Sequence, residues 1–226
     1  MINVIAIVIG GSLGVLLRGM TPKRLRDPVV MGLGLCVILI GLSDAIKTQD
    51  TLGVIICMAV GVITGSIIQI ERKLNSFGDK LKDKLSSSDS DNTFAQGFVT
   101  ASLVYCVGAL AVVGSLESGL SGDHSTLIAK SLIDGISSIF FASTLGAGVI
   151  LSAVPILIYE GTITLLAGWL APILSTDIIR EMSAVGGLLV AAIGLNLTGS
   201  GKFPIGDMLP ATFIPMLYIP IVGLIK

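Results

Sequence analysis

Three charged side chains lie where the surrounding sequence is apolar. Glu160 sits inside VILSAVPILIYEGTITLLAGWLAPIL, at least ten residues from either end of that run. An ionised side chain at the centre of a bilayer costs about 2.5 kcal/mol or more. Glu160 is therefore expected to face other helices, carry a proton or line a wet cavity. It reads as a proton or cation site, or as a neutral hydrogen-bonded acid at a helix contact. Lys130 and Asp134 stand four residues apart, on one helix face. They read as an ion pair near the outer end of a span, either structural or a gate for a charged solute.

Pro155 precedes Glu160 by five residues. It removes one helical N–H and frees a carbonyl on the preceding turn. With Gly146 and Gly148 it predicts a broken or kinked helix flanked by Ser143, Thr144 and Ser152. Half-helix ends at such a break offer N–H groups to anions and carbonyls to cations. A plain packing kink is the alternative. Asn196 and Thr198 close a later apolar run. The residues expected to bind a small solute or ion are thus Glu160, Thr144, Gly146, Gly148, Ser152, Pro155 and Asn196, near mid-membrane.

Other chemistry finds no footing. His124 is the only histidine, and Cys36, Cys57 and Cys106 lie singly in apolar runs without a CxxC pair, so no metal site is expected. No Walker motif, dinucleotide fingerprint, HExxH or nucleophile elbow is present, so neither an enzyme nor a cofactor is expected. The net charge of -1 and the lack of a basic stripe argue against nucleic acid.

These residues must be held by membrane helices. The 226 residues are 53% hydrophobic and only 13% charged, with mean hydropathy +0.95. Soluble domains carry about a quarter charged residues. The apolar runs are continuous rather than alternating, which favours helices over a barrel. The expectation is an all-α polytopic transmembrane bundle of seven or eight spans in one domain, residues 1–226, with discontinuous helices. The spans read as 2–17, 29–45, 52–70, 94–113, two between 127 and 174 separated at Gly146-Ala147-Gly148, 182–197 and 208–225. The last carries Pro210, Pro215 and Pro220 and is expected to be irregular.

Arg18, Lys23, Arg24 and Arg26 follow the first span, and Arg72, Lys73, Lys80, Lys82 and Lys84 follow the third. Positive loops stay cytoplasmic, so both termini are expected outside; Arg180 and Lys226 disagree mildly. The polar stretch 71–93 is then a cytoplasmic loop. Leu74, Phe77, Leu81 and Leu85 recur within it at helical spacing, predicting a short amphipathic helix. Gly10, Gly14, Gly61 and Gly65 form small-xxx-small pairs, a packing signal of which a homodimer is one use.

GLCVILIGL (34–42) matches GLLVAAIGL (187–195) at an offset of 153 residues, and Gly53 falls over Gly206. In an eight-span chain the two copies run in opposite directions, the mark of an inverted repeat with halves 1–70 and 144–226.

AQGFVTASLVYCVGALAVVGSLESGL, AKSLIDGISSIFFASTLGAGVILSAVPILIYEG and GGLLVAAIGLNL closely resemble the YdfK/YqgA-like membrane proteins, the DUF554 family. The similarity covers essentially the whole chain. Its most specific part combines Lys130, Asp134, Gly146-x-Gly148, Pro155 and Tyr159-x-Gly161. The resemblance implies a multi-pass protein of the bacterial inner membrane and supplies no activity. Family members often carry glutamine where this chain has Glu160, which implies no family-wide carboxylate there. The expected function is a secondary transporter or channel-like carrier for a small solute or ion, in contact with the lipid bilayer. The alternative is a scaffold or sensor that recruits a partner through residues 71–93.

Overall fold

The computed structural model describes residues 1–20, 23–73, 76 and 93–225, and every regular element among them is helical. In chain order these are α1 (Ile2–Met20), α2 (Lys23–Ala45), α3 (Thr51–Ile68), α4 (Thr93–Cys106), α5 (Ala109–Leu120), α6 (Ser125–Leu145) and α7 (Gly148–Leu151). There follow α8 (Ala153–Leu165), α9 (Ala167–Leu170), α10 (Thr176–Leu197), α11 (Ile205–Met208), a 3-10 helix (Leu209–Phe213) and α12 (Pro215–Ile225). Among the described residues, six stretches are long and apolar enough to cross a bilayer: parts of α2, α3, α6 and α10, the α7–α8 pair, and Ile205–Gly223. The bent pair α4–α5 makes a seventh if it is one span, and Ile2–Arg18 adds a shorter apolar helix. The chain is an all-α, multi-pass membrane protein, as its composition predicts.

Local chemistry sets the helix ends. The Asp50 carboxylate accepts from Gly53 N at 2.8 Å and caps α3. The Ser175 hydroxyl accepts from Ile178 N at 3.3 Å and caps α10. Gly146, at φ 87°, ends α6 and donates its N–H to Ala142 O at 3.0 Å. A Cβ at Gly146 would also strike the Arg18 guanidinium.

α10 is the central helix. Its apolar window is 83% buried, against 17% to 39% for the other five. α2 packs antiparallel along it. A Cβ on Gly187 would lie 2.5 Å from Gly41 O, and one on Gly194 would lie 2.5 Å from Gly34 O. Only glycine permits backbones this close. α1 runs parallel to α6, with Gly10 against Gly135 and Gly14 against Ile139 and Ala142. α3 packs on α11 and the 3-10 helix, with Gly61 against Ala211 and Gly65 against Asp207. Gly10, Gly14, Gly61 and Gly65 are thus taken up inside the chain, so they offer no face to a second copy.

Gly146 and Ala147 form the turn between α6 and α7, where the two spans of 127–174 are expected to part, and this turn is at the end of the bundle away from Glu160. Other breaks fall elsewhere than expected. The sixth span is interrupted at Ser152, just ahead of Pro155, and the Ser152 hydroxyl donates to Val149 O at 2.6 Å. The larger break is in the fourth span, expected as one helix over 94–113. It bends by 61° at Val107 and Gly108, where Gly108 adopts φ 116°. The last span divides into α11, the 3-10 helix and α12, as its prolines predict.

At the face where α3 ends, Glu71 N donates to the Asp207 carboxylate at 2.9 Å and Gly206 N donates to the Glu71 carboxylate at 2.6 Å. The expected amphipathic helix with Leu74, Phe77, Leu81 and Leu85 lies outside the described residues, as do Lys80, Lys82 and Lys84. Arg180 lies in the first turns of α10, paired with Asp177 at 2.9 Å and Glu181 at 3.2 Å, so its positive charge is locally balanced.

Candidate functional site

α1, α6 and α8 meet in a buried polar cluster. Lys130 and Asp134 project from one face of α6 and form an ion pair through Lys130 Nζ and Asp134 Oδ2. Glu160 of α8 approaches the same ammonium at 3.9 Å. Asn3, in the first turn of α1, lies between the carboxylates. Its Nδ2 donates to Asp134 Oδ2 at 2.9 Å and to Glu160 Oε1 at 2.6 Å. Asn3 is 1% exposed, and Lys130, Asp134 and Glu160 are each 5% exposed. Asn3 Oδ1 is buried with no hydrogen-bond partner among the described residues. One turn further along α6, the Ser138 hydroxyl and the fully buried Tyr105 hydroxyl lie 2.9 Å apart.

The sequence pattern explains this arrangement. Lys130, Asp134 and Ser138 follow a four-residue spacing, so one stripe of α6 carries all three polar groups. Gly10 and Gly14 draw α1 against α6, which brings Asn3 to that stripe. Lys130 is five residues into α6, about 8 Å along its axis, and Asp134 about 14 Å. The cluster therefore extends from the first third of α6 to near its middle, on the side of the bundle where α1 begins.

A cavity of about 690 Å³ reaches the cluster from that end. Asn3, Glu160 and Thr164 line it, together with Ser118 and His124 near the helix ends. His124 Nδ1 and the Ser118 hydroxyl are 2.9 Å apart. The Lys130–Asp134 pair is thus screened from lipid, and Glu160 faces both the pair and the cavity.

The other expected site residues lie apart from this cluster. Thr144 is buried, but its hydroxyl donates to Phe140 O and Phe141 O within its own helix. Gly148 packs against Phe94 of α4. Gly148 and Glu160 are twelve residues apart, about 18 Å of helix, so Thr144, Gly146, Gly148 and Ser152 do not share a site with Glu160. Pro155 lies on a face of α8 other than that of Glu160. Asn196 closes the loop after α10, accepting from Phe203 N at 2.8 Å and donating to Phe203 O at 2.9 Å.

Asn3 is the residue that sequence reasoning missed. The signal was small: Asn3 and Ser12 are the only polar side chains between Ile2 and Leu17. A third buried acid, Glu181, accepts from Gln49 N at 3.0 Å and from the Thr48 hydroxyl, tying the α2–α3 loop to α10. Among the described residues, no group of three or more histidine, cysteine, aspartate or glutamate side chains could hold a metal ion.

Comparison with known proteins shows the family of the chain. Residues 1–220 match the family described as "Protein of unknown function (DUF554)". The chain is 31% identical over 218 residues to the uncharacterized protein YqgA of Escherichia coli, covering 95% of this chain and 93% of that protein. It is 30% identical over 221 residues to the uncharacterized membrane protein YdfK of Bacillus subtilis, covering 96% of this chain and 93% of that one. No solved structure matches. The chain belongs to the DUF554 family.

Proposed function

We propose that this DUF554 chain is a secondary transporter or channel-like carrier of the bacterial inner membrane, and that Asn3, Lys130, Asp134 and Glu160 form its cation site. The observation that carries this reading is the charge count of the buried cluster. Two carboxylates face one side-chain ammonium, while the Met1 α-ammonium acts on Glu160 from the cavity lining. With all three ionised the cluster carries one negative charge in a poorly polarisable setting, which one proton or one monovalent cation balances. The neutral donor Asn3 Nδ2 orients both carboxylates, while Asn3 Oδ1 adds an unpaired hard oxygen beside them. Charged residues inside spans are rare and mark ion pathways more often than lipid contacts. The cavity lined by Glu160 gives the site a route to one face.

The packing of the two matched segments supports the same reading. Under the 153-residue offset, Gly34 corresponds to Gly187 and Gly41 to Gly194. The close approaches are Gly34 with Gly194 and Gly41 with Gly187. Exchanging the two segments therefore exchanges one contact for the other. That is the behaviour of a two-fold axis in the membrane plane, the design of many transporters with inverted repeats. The α3 packing on α11 and the 3-10 helix fits the same proposed relation, since Gly53 corresponds to Gly206.

Flux into proteoliposomes tests the proposal, with wild type compared against Glu160→Ala under imposed proton, sodium and potassium gradients. Transport of one of these ions by wild type, reduced at least tenfold in the variant, supports the reading. Equal flux in both proteins, or none in wild type, rejects it.

A further inference from the structure

Glu160 and Asp134 are not equivalent, although both face Lys130. Asp134 Oδ2 accepts from two donors, the Lys130 ammonium and Asn3 Nδ2. Glu160 Oε1 accepts from the neutral Asn3 amide alone, because Lys130 Nζ stands 3.9 Å away, beyond hydrogen-bond reach. A charged donor holds a carboxylate in its ionised form more firmly than a neutral one does. Asp134 is therefore the compensated partner of the ammonium, and Glu160 carries the excess charge of the cluster. Access differs in the same sense. Glu160 lines the cavity of about 690 Å³, whereas Lys130 and Asp134 do not. Glu160 Oε2 accepts no hydrogen bond among the described residues and, unlike Asn3 Oδ1, is not sealed from that cavity.

We infer that the ion bound by the cluster is a proton, carried on Glu160 Oε2. The inference rests on the cation-site reading above and names its ion. The proton comes from a hydronium ion in the cavity, which leaves as water; one O–H bond forms on Glu160, and nothing is oxidised or reduced. Glu160 Oε1 keeps its bond from Asn3, and Lys130 keeps Asp134, so binding needs no rearrangement of the cluster.

A metal cation fits the same place poorly. It gives up its water shell only where several oxygens replace it. Beside Glu160 the cavity offers the Thr164 hydroxyl, one turn along α8, and the Ser118 hydroxyl, which already meets His124 Nδ1 at 2.9 Å. The Lys130 and Met1 ammonium groups would also face a further full charge, whereas a proton merges with the carboxylate into a neutral acid. The other titratable groups on the elements packed against Glu160 leave this role open. Glu117 of α5 accepts from the Thr126 hydroxyl at 2.7 Å, and the Tyr105 hydroxyl of α4 meets Ser138. Cys106 of α4 and Tyr159 of α8 are a thiol and a phenol, which ordinarily hold their protons at neutral pH. His124 stands at the cavity mouth.

Infrared difference spectra of the full chain in a lipid film, perfused with alkaline and then acidic buffer, test this. Wild type minus Glu160→Gln should show a protonated-carboxyl band that shifts down in deuterium oxide. Glutamine has the shape of the neutral acid, so the variant is expected to fold, and its melting temperature checks this. In wild type, carbon-13 in the glutamate side-chain carboxyls should move the band, and the same label in aspartate should not. Asp134→Asn leaves Glu160 as the partner of Lys130, so the band should need about tenfold more proton to appear. Saturating sodium or potassium should leave the band unchanged. A band that moves with labelled aspartate, or that appears at the same pH in Asp134→Asn, overturns the inference. A band abolished by sodium or potassium also overturns it, but leaves the cation site standing with a metal as its ion. No band in wild type overturns it as well, and proteoliposome flux then decides the wider reading: sodium or potassium flux keeps the cation site, and no flux of any of the three ions rejects both.

Discussion

Replacing Lys130 by methionine removes the single side-chain ammonium from the cluster and leaves Asp134 and Glu160 buried together. The Lys130–Glu160 separation of 3.9 Å corresponds to about 4 kcal/mol of attraction at an effective dielectric constant of about 20. The shorter contact to Asp134 contributes at least as much. Desolvation, several kcal/mol per ion, opposes this gain, so the pair's net worth is small even though breaking it is costly. Removing one partner of a buried pair costs about 3–5 kcal/mol. Removing both, in Lys130→Met/Asp134→Leu, leaves Glu160 with Asn3 and is expected to return within about 1 kcal/mol of wild type or above it. Equilibrium unfolding in mixed micelles of rising SDS content, followed by helical circular dichroism, measures all the variants. The double-mutant cycle should show a coupling of more than about 2 kcal/mol. A Lys130→Met protein within about 1 kcal/mol of wild type, or a double variant that loses the sum of the single losses, refutes the charge argument.

Further outcomes follow from the packing. Asn3→Ala deletes two donors to carboxylates and should lose about 2–4 kcal/mol in the same unfolding assay. Gly187→Ala places a Cβ 2.5 Å from Gly41 O, so α2 and α10 must separate; the expected loss is about 1–3 kcal/mol, whereas Gly161→Ala, which meets nothing within 4 Å, should be neutral or gain up to about 1 kcal/mol. Tyr105→Phe removes the hydrogen bond to Ser138 inside the core and should lose about 1 kcal/mol by thermal melting. His124→Cys, in a protein whose three native cysteines are alanine, should react with a charged methanethiosulfonate reagent added outside intact cells, since His124 lies in the cavity mouth on the expected outer face; labelling only after permeabilisation would reverse the orientation.

The elements of the fold were largely legible because each apolar run is long enough to specify a helix by itself. The charged residues were legible for the same reason: a carboxylate at position 160 and an i,i+4 pair at 130 and 134 stand out in hydrocarbon-like sequence. Their assembly into one cluster was not legible. It depends on how α1, α6 and α8 pack, and the glycines that set this packing announce close approach without naming the partner. Asn3 was overlooked because one amide near the start of an apolar run carries little signal alone. Gly146-x-Gly148 was legible as an interruption, but the same residues serve a turn at a helix end and a break in mid-span. Gly108 shows the converse. It stands singly in a continuous apolar run, and only the positive φ it adopts reveals the bend there.

The central claim is that the cluster of Asn3, Lys130, Asp134 and Glu160 binds a cation. Solid-supported membrane electrophysiology on reconstituted protein tests it most directly, because a rapid jump in proton, sodium or potassium concentration reports charge movement on binding without requiring turnover. Wild type should give a saturable transient current for one of these ions. Asp134→Asn, shown to be folded by its melting temperature, should abolish that current. A current of equal size in wild type and folded Asp134→Asn, or no current in wild type for any of the three ions, would contradict the account.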